Sequence, residues 1–404
     1  MSNTPQQFGV AGQRVTVVGA ARSGVAAAEL LARKGAHVVL SESRAALADE
    51  DAARLTAAGV ALELGGHVEG TFTGAHLVVT SPGVPPELPV LVAAKAAGVP
   101  VIGEVELAFR WLKGRVIAIT GTKGKSTTTT LTGRMLAKAG LRVTVGGNIG
   151  APISAQVDGS TPDTLHVIEV SSFQLEQIER FRPWIAVMLN FSPDHLDRHH
   201  TVEAYAGAKA RVFENQEADD IALVNADDEP AMRLAASTRA RRWLFSRHGS
   251  LEQGTVIEDG WIVLRQGGRS ERLVPLSAIR LLGAHLVDDV MAAATIASSQ
   301  ARGSAAAGPP ATSSPHDTGA RTSRARAASA TAAATAAAPL PGTPITAMWG
   351  RGMEMLSSNS ASVHAACGWT ASGAISTHGS STKRRVVMRG CGTVSEAVSS
   401  TASP

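Results

Sequence analysis

A lysine and a hydroxyl follow closely spaced glycines in Ile119-Thr120-Gly121-Thr122-Lys123-Gly124-Lys125-Ser126-Thr127-Thr128. Glycines let backbone N–H groups turn toward an anion. A helix that begins there adds the partial positive charge of its N-terminus. Lys125 can then reach the outer phosphates of a nucleotide, and Ser126 can offer its hydroxyl to Mg²⁺. The commoner spacing, G-x-x-x-x-G-K-[ST], asks for glycine where Ile119 stands, so this is the shorter T-G-T-x-G-K-S form. Gly121, Thr122, Lys123, Gly124, Lys125, Ser126 and Thr127 are the candidate phosphate-binding residues. A flexible surface turn is the plainer alternative, and the coincidence of strand, glycine, lysine and serine weighs against it.

A weaker signal lies upstream. Gly19-Ala20-Ala21-Arg22-Ser23-Gly24 follows a strand, and Glu42 ends the next strand. That pattern is similar to a dinucleotide fingerprint with its ribose-binding acid, although Ala replaces the middle glycine. It keeps open a nicotinamide-dependent oxidoreductase, and equally a plain strand-to-helix turn. Further on come Gly146-Gly147-Asn148-Ile149-Gly150, then Glu169-Val170-Ser171-Ser172-Phe173-Gln174-Leu175-Glu176. Asn190-Phe191-Ser192-Pro193-Asp194-His195-Leu196-Asp197-Arg198, Ala208-Lys209 and Asn225-Ala226-Asp227-Asp228 follow. Asp194, His195 and Asp197 could suggest zinc, but no fourth nitrogen or sulfur ligand accompanies them at a sensible spacing. A Ser171–His195–Asp triad lacks a nucleophile elbow.

In this order and spacing the strings resemble the Mur ligases of peptidoglycan synthesis. Glu169 to Glu176 and Ser81-Pro82-Gly83-Val84 resemble the D-glutamate-adding branch. The resemblance spans residues 10–297. It implies an ATP-dependent carbon–nitrogen ligase of cell-wall building, and so of cell shape and division. ATP would phosphorylate the alanyl carboxylate of UDP-N-acetylmuramoyl-L-alanine, and the amine of D-glutamate would attack the acyl phosphate. Lys125, His195 and Lys209 then match catalytic positions. Ser126, Glu169, His195 and Lys209 match Mg²⁺ positions, Lys209 as a carbamate. Asn148, Ser171 and Gln174 match contacts to the muramoyl-alanyl part. Gly19, Ser23, Gly24, Glu42, Ser81 and Gly83 would hold the uridine diphosphate. Leu282 to Val290 resembles a G-x-H-N-x-x-N helix start that contacts adenine, with Leu286 and Asp289 where the family has Asn. Asp289 can serve that contact in part, whereas Leu286 has no hydrogen bond to give. The implied cofactors are ATP and Mg²⁺, the partners are small molecules, and a cytoplasmic monomer is expected.

These residues need rigid elements behind them. Strand signals at Arg14–Val18, Val38–Leu40 and Leu77–Thr80, with a helix at Ser23–Lys34, give a βαβ rhythm and a parallel sheet. Residues 115–297 repeat it, with strands at Arg115–Thr120, Leu165–Val170, Ile185–Asn190 and Ile221–Val224. The predicted fold class is α/β: a Rossmann-like, UDP-binding domain over 1–111 and a central P-loop ATPase-type domain over 112–297. Trp111 to Gly114 is the hinge.

The 404 residues, 44% hydrophobic and 18% charged, suffice for two or three cores. No apolar run is long enough for a membrane span, and no secretory signal is read. Of 38 Lys and Arg and 34 Asp and Glu, nine and three lie in residues 301–404, which leaves a net charge of −2 before them. The basic charge therefore sits in the tail, and a nucleic-acid surface over the folded part is not expected. Ala, Ser, Thr, Gly and Pro make up about two thirds of that tail, too little apolar material for a core. The 298–404 segment is predicted to be low-complexity, and disordered or out of frame, in place of the family's third domain. Asp-Ser-Lys and Glu-His-Arg marker strings of that domain are not read there. A remnant that binds UDP-sugar and ATP without completing the reaction is the alternative function.

Overall fold

A computed structural model describes residues 8–279 and 285–306, and the backbone at 370–376, 383–390 and 393–398. The rest of the tail lies outside the described residues.

The chain first lays down β1 (Arg14–Val18), α1 (Arg22–Arg33), β2 (His37–Glu42), α2 (Asp49–Ala57), β3 (Ala61–Leu64), α3 (Glu69–Thr73), β4 (Leu77–Thr80), α4 (Pro89–Ala96), β5 (Val101–Gly103) and α5 (Glu104–Phe109). The strands pair in parallel in the order β3-β2-β1-β4-β5. The chain turns from one side of β1 to the other, so a crevice opens at the C-terminal end of β1. Val15, Val17, Leu31, Leu40 and Val79 are buried together beside this sheet.

A second unit contains β6 (Arg115–Thr120), α6 (Lys125–Lys138), β7 (Val143–Gly147), β8 (Leu165–Glu169), α7 (Ser172–Leu175), β9 (Ile185–Met188), α8 (Leu196–His199), α9 (Val202–Ala210), β10 (Ile221–Asn225), α10 (Glu229–Leu234), β11 (Arg241–Ser246), β12 (Gly254–Glu258), β13 (Trp261–Gln266), β14 (Arg269–Pro275) and α11 (His285–Ala306). Its sheet order is β14-β13-β12-β11-β10-β9-β6-β8-β7. β6 lies between β8 and β9, again a switch point, and all of β6 after Arg115 is buried, as a doubly covered parallel strand requires. Two apolar clusters cover the two faces of the sheet.

Two features depart from the predicted pattern. The last two strand pairs of the second sheet are antiparallel, joined at Asp259-Gly260 and Gly267-Gly268. Helix α11 runs to Ala306, past the composition change near Ala297, and packs along α6. Within the tail, Thr370–Ser376, Lys383–Gly390 and Thr393–Val398 form three antiparallel strands.

The two units meet through α5 and the linker after it. Glu106 is fully buried, and its Oε2 accepts the backbone N–H groups of Glu179, Arg180 and Phe181 at 2.9, 3.0 and 2.8 Å. Its Oε1 accepts Arg110 Nε at 2.8 Å, and Arg110 also reaches Glu179 at 2.6 Å. Glu104 accepts Ser154 N–H at 2.6 Å, and burial pushes its carboxyl above the usual range. In the linker, Lys113 and Gly114 donate backbone N–H groups to Ser160 Oγ at 2.9 and 3.2 Å. Ser160 Oγ lies 2.8 Å from His166 Nε2, and His166 Nδ1 lies 2.8 Å from Thr144 Oγ1.

Candidate functional site

The phosphate loop lies between β6 and α6. Gly121 and Gly124 take φ of +149° and +83°, values that side chains rarely adopt. Asn190, just after β9, holds the loop: its Oδ1 accepts Thr122 and Lys123 N–H at 3.1 and 2.9 Å, and its Nδ2 donates to Lys123 O at 3.1 Å. Lys125 Nζ donates to Thr122 O at 2.9 Å. Burial lowers the Lys125 pKa against the pull of Glu169 and Asp194.

Around the loop the structure gathers residues from four other segments. Ser126 Oγ donates to Glu169 Oε2 at 2.6 Å, and Asn148 Nδ2 donates to Glu169 Oε1 at 2.7 Å. Glu169 ends β8 and Asn148 follows β7, so adjacent parallel strands deliver them side by side. Lys209, only 2% exposed, donates from Nζ to Gly121 O at 2.7 Å and lies over the Tyr205 ring. Burial first, and then the charge of Lys125, bring the Lys209 pKa down to about 7 against the pull of Asp194 and Glu169. His195 is less tied. It takes φ +51°, its backbone N–H donates to Asp194 Oδ1, and its ring is half exposed at 5.2 Å from Phe173. Among the described residues no group of three or more His, Cys, Asp or Glu could hold a metal.

Thr127 is partly exposed on the first turn of α6. Asp289 stands behind the loop, 2% exposed. Its Oδ1 accepts Thr128 Oγ1 at 3.0 Å, and a Cβ placed on Gly124 would lie 2.2 Å from that oxygen. Oδ2 is buried with no partner. Burial first, and then the neighbouring Asp288, push the Asp289 carboxyl up to about 7 against the Thr128 hydrogen bond.

In the first unit the Gly19 turn, Ser23, Gly24, Glu42 and the Ser81–Gly83 turn converge at the end of β1. Ser81 Oγ donates to Gly19 O at 2.8 Å. Burial works to raise the Glu42 pKa. Hydrogen bonds from the Arg44 side chain, Ala20 N–H, Arg44 N–H and the Ser43 hydroxyl outweigh it and hold the carboxyl down at about 2. The carboxylate is thus held ionised at the end of β2, bonded to the turn that follows β1. Gly24 is the tightest point: a Cβ there would lie 1.8 Å from Gly19 O and 2.5 Å from Ser81 Oγ. Gly24→Ala is therefore expected to cost about 3 kcal/mol. Thermal melting of the variant checks this, and an unchanged midpoint would refute it.

Ser171 and Gln174 sit together, but they serve each other. Ser171 Oγ accepts Gln174 N–H, and Gln174 Oε1 accepts Ser171 N–H, a capping box that starts α7. Asn190 and Tyr205 touch the phosphate loop, and Arg198 lies outside it; the sequence reading assigned none of the three. Asn190 and Arg198 lay within a recognised string, but their bonds join segments distant in sequence. Tyr205 Oη lies 3.4 Å from Thr122 Oγ1.

The family models for "Mur ligase MurD-like, N-terminal domain" and "Mur ligase middle domain" match residues 13–103 and 119–297. The chain is 50% identical over 289 residues to the UDP-N-acetylmuramoylalanine–D-glutamate ligase of Acidobacterium capsulatum, covering 71% of this chain and 63% of that one. It is 45% identical over 300 residues to the ligase of the same name in Koribacter versatilis, covering 72% and 66%. For the one in Pelobacter propionicus the identity is 48% over 283 residues, covering 70% and 63%. The chain spans less than two thirds of the length of these curated relatives. A phosphate loop braced by Asn190, with Glu169 and Lys209 at its mouth, lies within the stretch matched by the middle-domain model, and with the N-terminal match it places the chain in the Mur ligase family.

Proposed function

We propose that residues 1–111 bind the UDP part of UDP-N-acetylmuramoyl-L-alanine and residues 112–297 bind ATP, for the addition of D-glutamate. One observation carries this reading: Lys125, Ser126, Glu169 and Lys209 converge on one loop mouth through bonds of 2.6–2.9 Å. Phosphoryl transfer onto a carboxylate crowds anionic oxygens, so fixed cations and aimed N–H groups at this mouth lower its barrier. The γ-phosphoryl group moves to the alanyl carboxylate and ADP leaves. The D-glutamate nitrogen then attacks the carbonyl carbon, the C–O bond to phosphate breaks, and the nitrogen gives up a proton.

Hard oxygen donors at Ser126 and Glu169 suit Mg²⁺, with His195 and Lys209 as the further residues that would hold it. Such an ion would supply positive charge to offset the negative charge of the phosphate groups. Lys209, with a pKa of about 7, carries a large neutral fraction at physiological pH. A neutral amine is the form that adds CO₂ to give a carbamate. Asn148 orients Glu169, and Ser171 and Gln174, held together in the α7 cap, are the residues proposed to contact the sugar-peptide part. Asp289 lines the nucleotide end of α6.

Lys125→Ala is expected to weaken binding of a non-hydrolysable ATP analogue 10- to 100-fold, on the order of a charged hydrogen bond. Calorimetry on the full chain reads it, and unchanged affinity would sink the assignment. Incubation with ATP, UDP-N-acetylmuramoyl-L-alanine and D-glutamate separates the two functional readings. Amide product supports the ligase, and binding of both nucleotides without product identifies a binding-only chain.

A further inference from the structure

Arg198 bridges the two units. It lies on α8, three residues after His195. Its Nη2 donates at 3.0 Å to Val84 O in the first unit and at 3.0 Å to Glu176 Oε2 in the second. The guanidinium stacks over Phe173 at 5.1 Å, and Phe173 also touches the rings of His195 and His199 at 5.2 and 5.4 Å. Glu176 is held in turn by His199 Nδ1 at 3.1 Å, and His199 Nε2 lies 2.9 Å from Ser172 Oγ. The side chain is only 14% exposed, and its Nε is buried without a partner.

Val84 follows the Ser81-Pro82-Gly83 turn, and its Cγ2 sits 2.8 Å from where a Gly19 Cβ would be. A continuous chain of contacts therefore runs from the Gly19 turn through Val84 and Arg198 to Phe173 and His195. A planar guanidinium that bonds two acceptors and stacks on a ring fixes an orientation that a lysine cannot reproduce. We propose that Arg198 is a positioning residue that couples occupancy of the Gly19/Ser81 turns by a nucleotide sugar to the placement of His195 beside the phosphate loop. This rests on the two-site reading above, and it adds that the sites are thermodynamically linked through one side chain. Linkage of this kind is a coupling free energy, and a coupling measurement reads it.

The test uses the full chain. Calorimetry measures UDP-N-acetylmuramoyl-L-alanine affinity with and without a saturating ATP analogue and Mg²⁺. The unaltered chain is expected to show coupling of about fivefold or more, the lower end for linked sites. Arg198→Met is expected to bring the ratio within twofold of one while each ligand binds alone with near-normal affinity. Arg198→Lys, which keeps the charge, is expected to restore less than half of the coupling. Full coupling in Arg198→Met, or its absence in the unaltered chain, overturns the proposal. A ligand-free arm keeps the proposal separate from the two-site reading. In Arg198→Met, hydrogen exchange is expected to speed up in both 83–88 and 194–200. Faster exchange in 194–200 alone marks a local packing role and overturns the proposal. If the unaltered chain binds neither nucleotide, the two-site reading fails, and so does a linkage between them.

Discussion

Asp289→Asn is expected to stabilise the protein by about 4 kcal/mol at pH 8 and by under about 1 kcal/mol near pH 4. The carboxyl is held at about 7 in the fold, against an ordinary value of 3.8. A carboxyl whose pKa is raised on folding contributes fully below its unfolded value and loses that contribution as pH rises through its folded value. The loss therefore accumulates from about pH 4 to pH 7, the span between the two values. Asparagine keeps an acceptor for Thr128 Oγ1 and never ionises. Urea unfolding at pH 4 and pH 8 reads the difference, and equal gains at both would refute the assignment. A second consequence follows at the loop. Ionised Asp289 places negative charge behind Gly124, beside the phosphates the loop would hold. Affinity for an ATP analogue should then fall between pH 6 and pH 8 in the unaltered chain more steeply than in the variant.

Glu106→Ala is expected to cost about 4 kcal/mol, the loss typical of a buried charged partner removed from its network. Three backbone N–H groups and Arg110 would lose their acceptor together. Glu106 and Phe181 are fully buried, so the Phe181 N–H keeps its desolvation penalty in full, while Glu179 and Arg180 belong to exposed residues and keep it only in part. Glu106→Gln retains one good acceptor and should lose about half as much. Urea unfolding of both variants, with hydrogen exchange at 179–181, measures this. A loss of under about 1 kcal/mol for the alanine variant would show that water takes over the carboxylate's role.

The phosphate loop was legible because strand, glycines, lysine and helix lie in one unbroken stretch, where local chemistry decides the structure. Glu169 and Asn148 were legible only through a motif: nothing local says that β7 and β8 are neighbours. The antiparallel extension was readable and passed over. Asp259-Gly260 and Gly267-Gly268 take φ of +47°, +75°, +57° and +73°, the hairpin signature that Asp-Gly and Gly-Gly pairs announce. Glu106 was not legible, since a glutamate on a short helix ordinarily reads as solvated. Its partners arrive 73 to 75 residues later in the chain. Arg198 and Val84 are 114 residues apart, and only the crevice between the units joins them. Gln174 shows the converse: a residue singled out for chemistry is partly consumed by starting its own helix.

The Ser160 hydroxyl that anchors the linker fixes where a proton sits. Its oxygen has two lone pairs, and the Lys113 and Gly114 N–H groups take both, so its own hydrogen must point at His166 Nε2. The ring is thereby confined to the tautomer with hydrogen on Nδ1, which faces Thr144 Oγ1. Burial keeps that ring neutral down to about pH 4. Below that point the ring becomes a donor at both nitrogens, and Ser160 has no lone pair left for it. Acid would thus loosen the linker's anchor on the second unit from inside, by a change of proton inventory at a single imidazole.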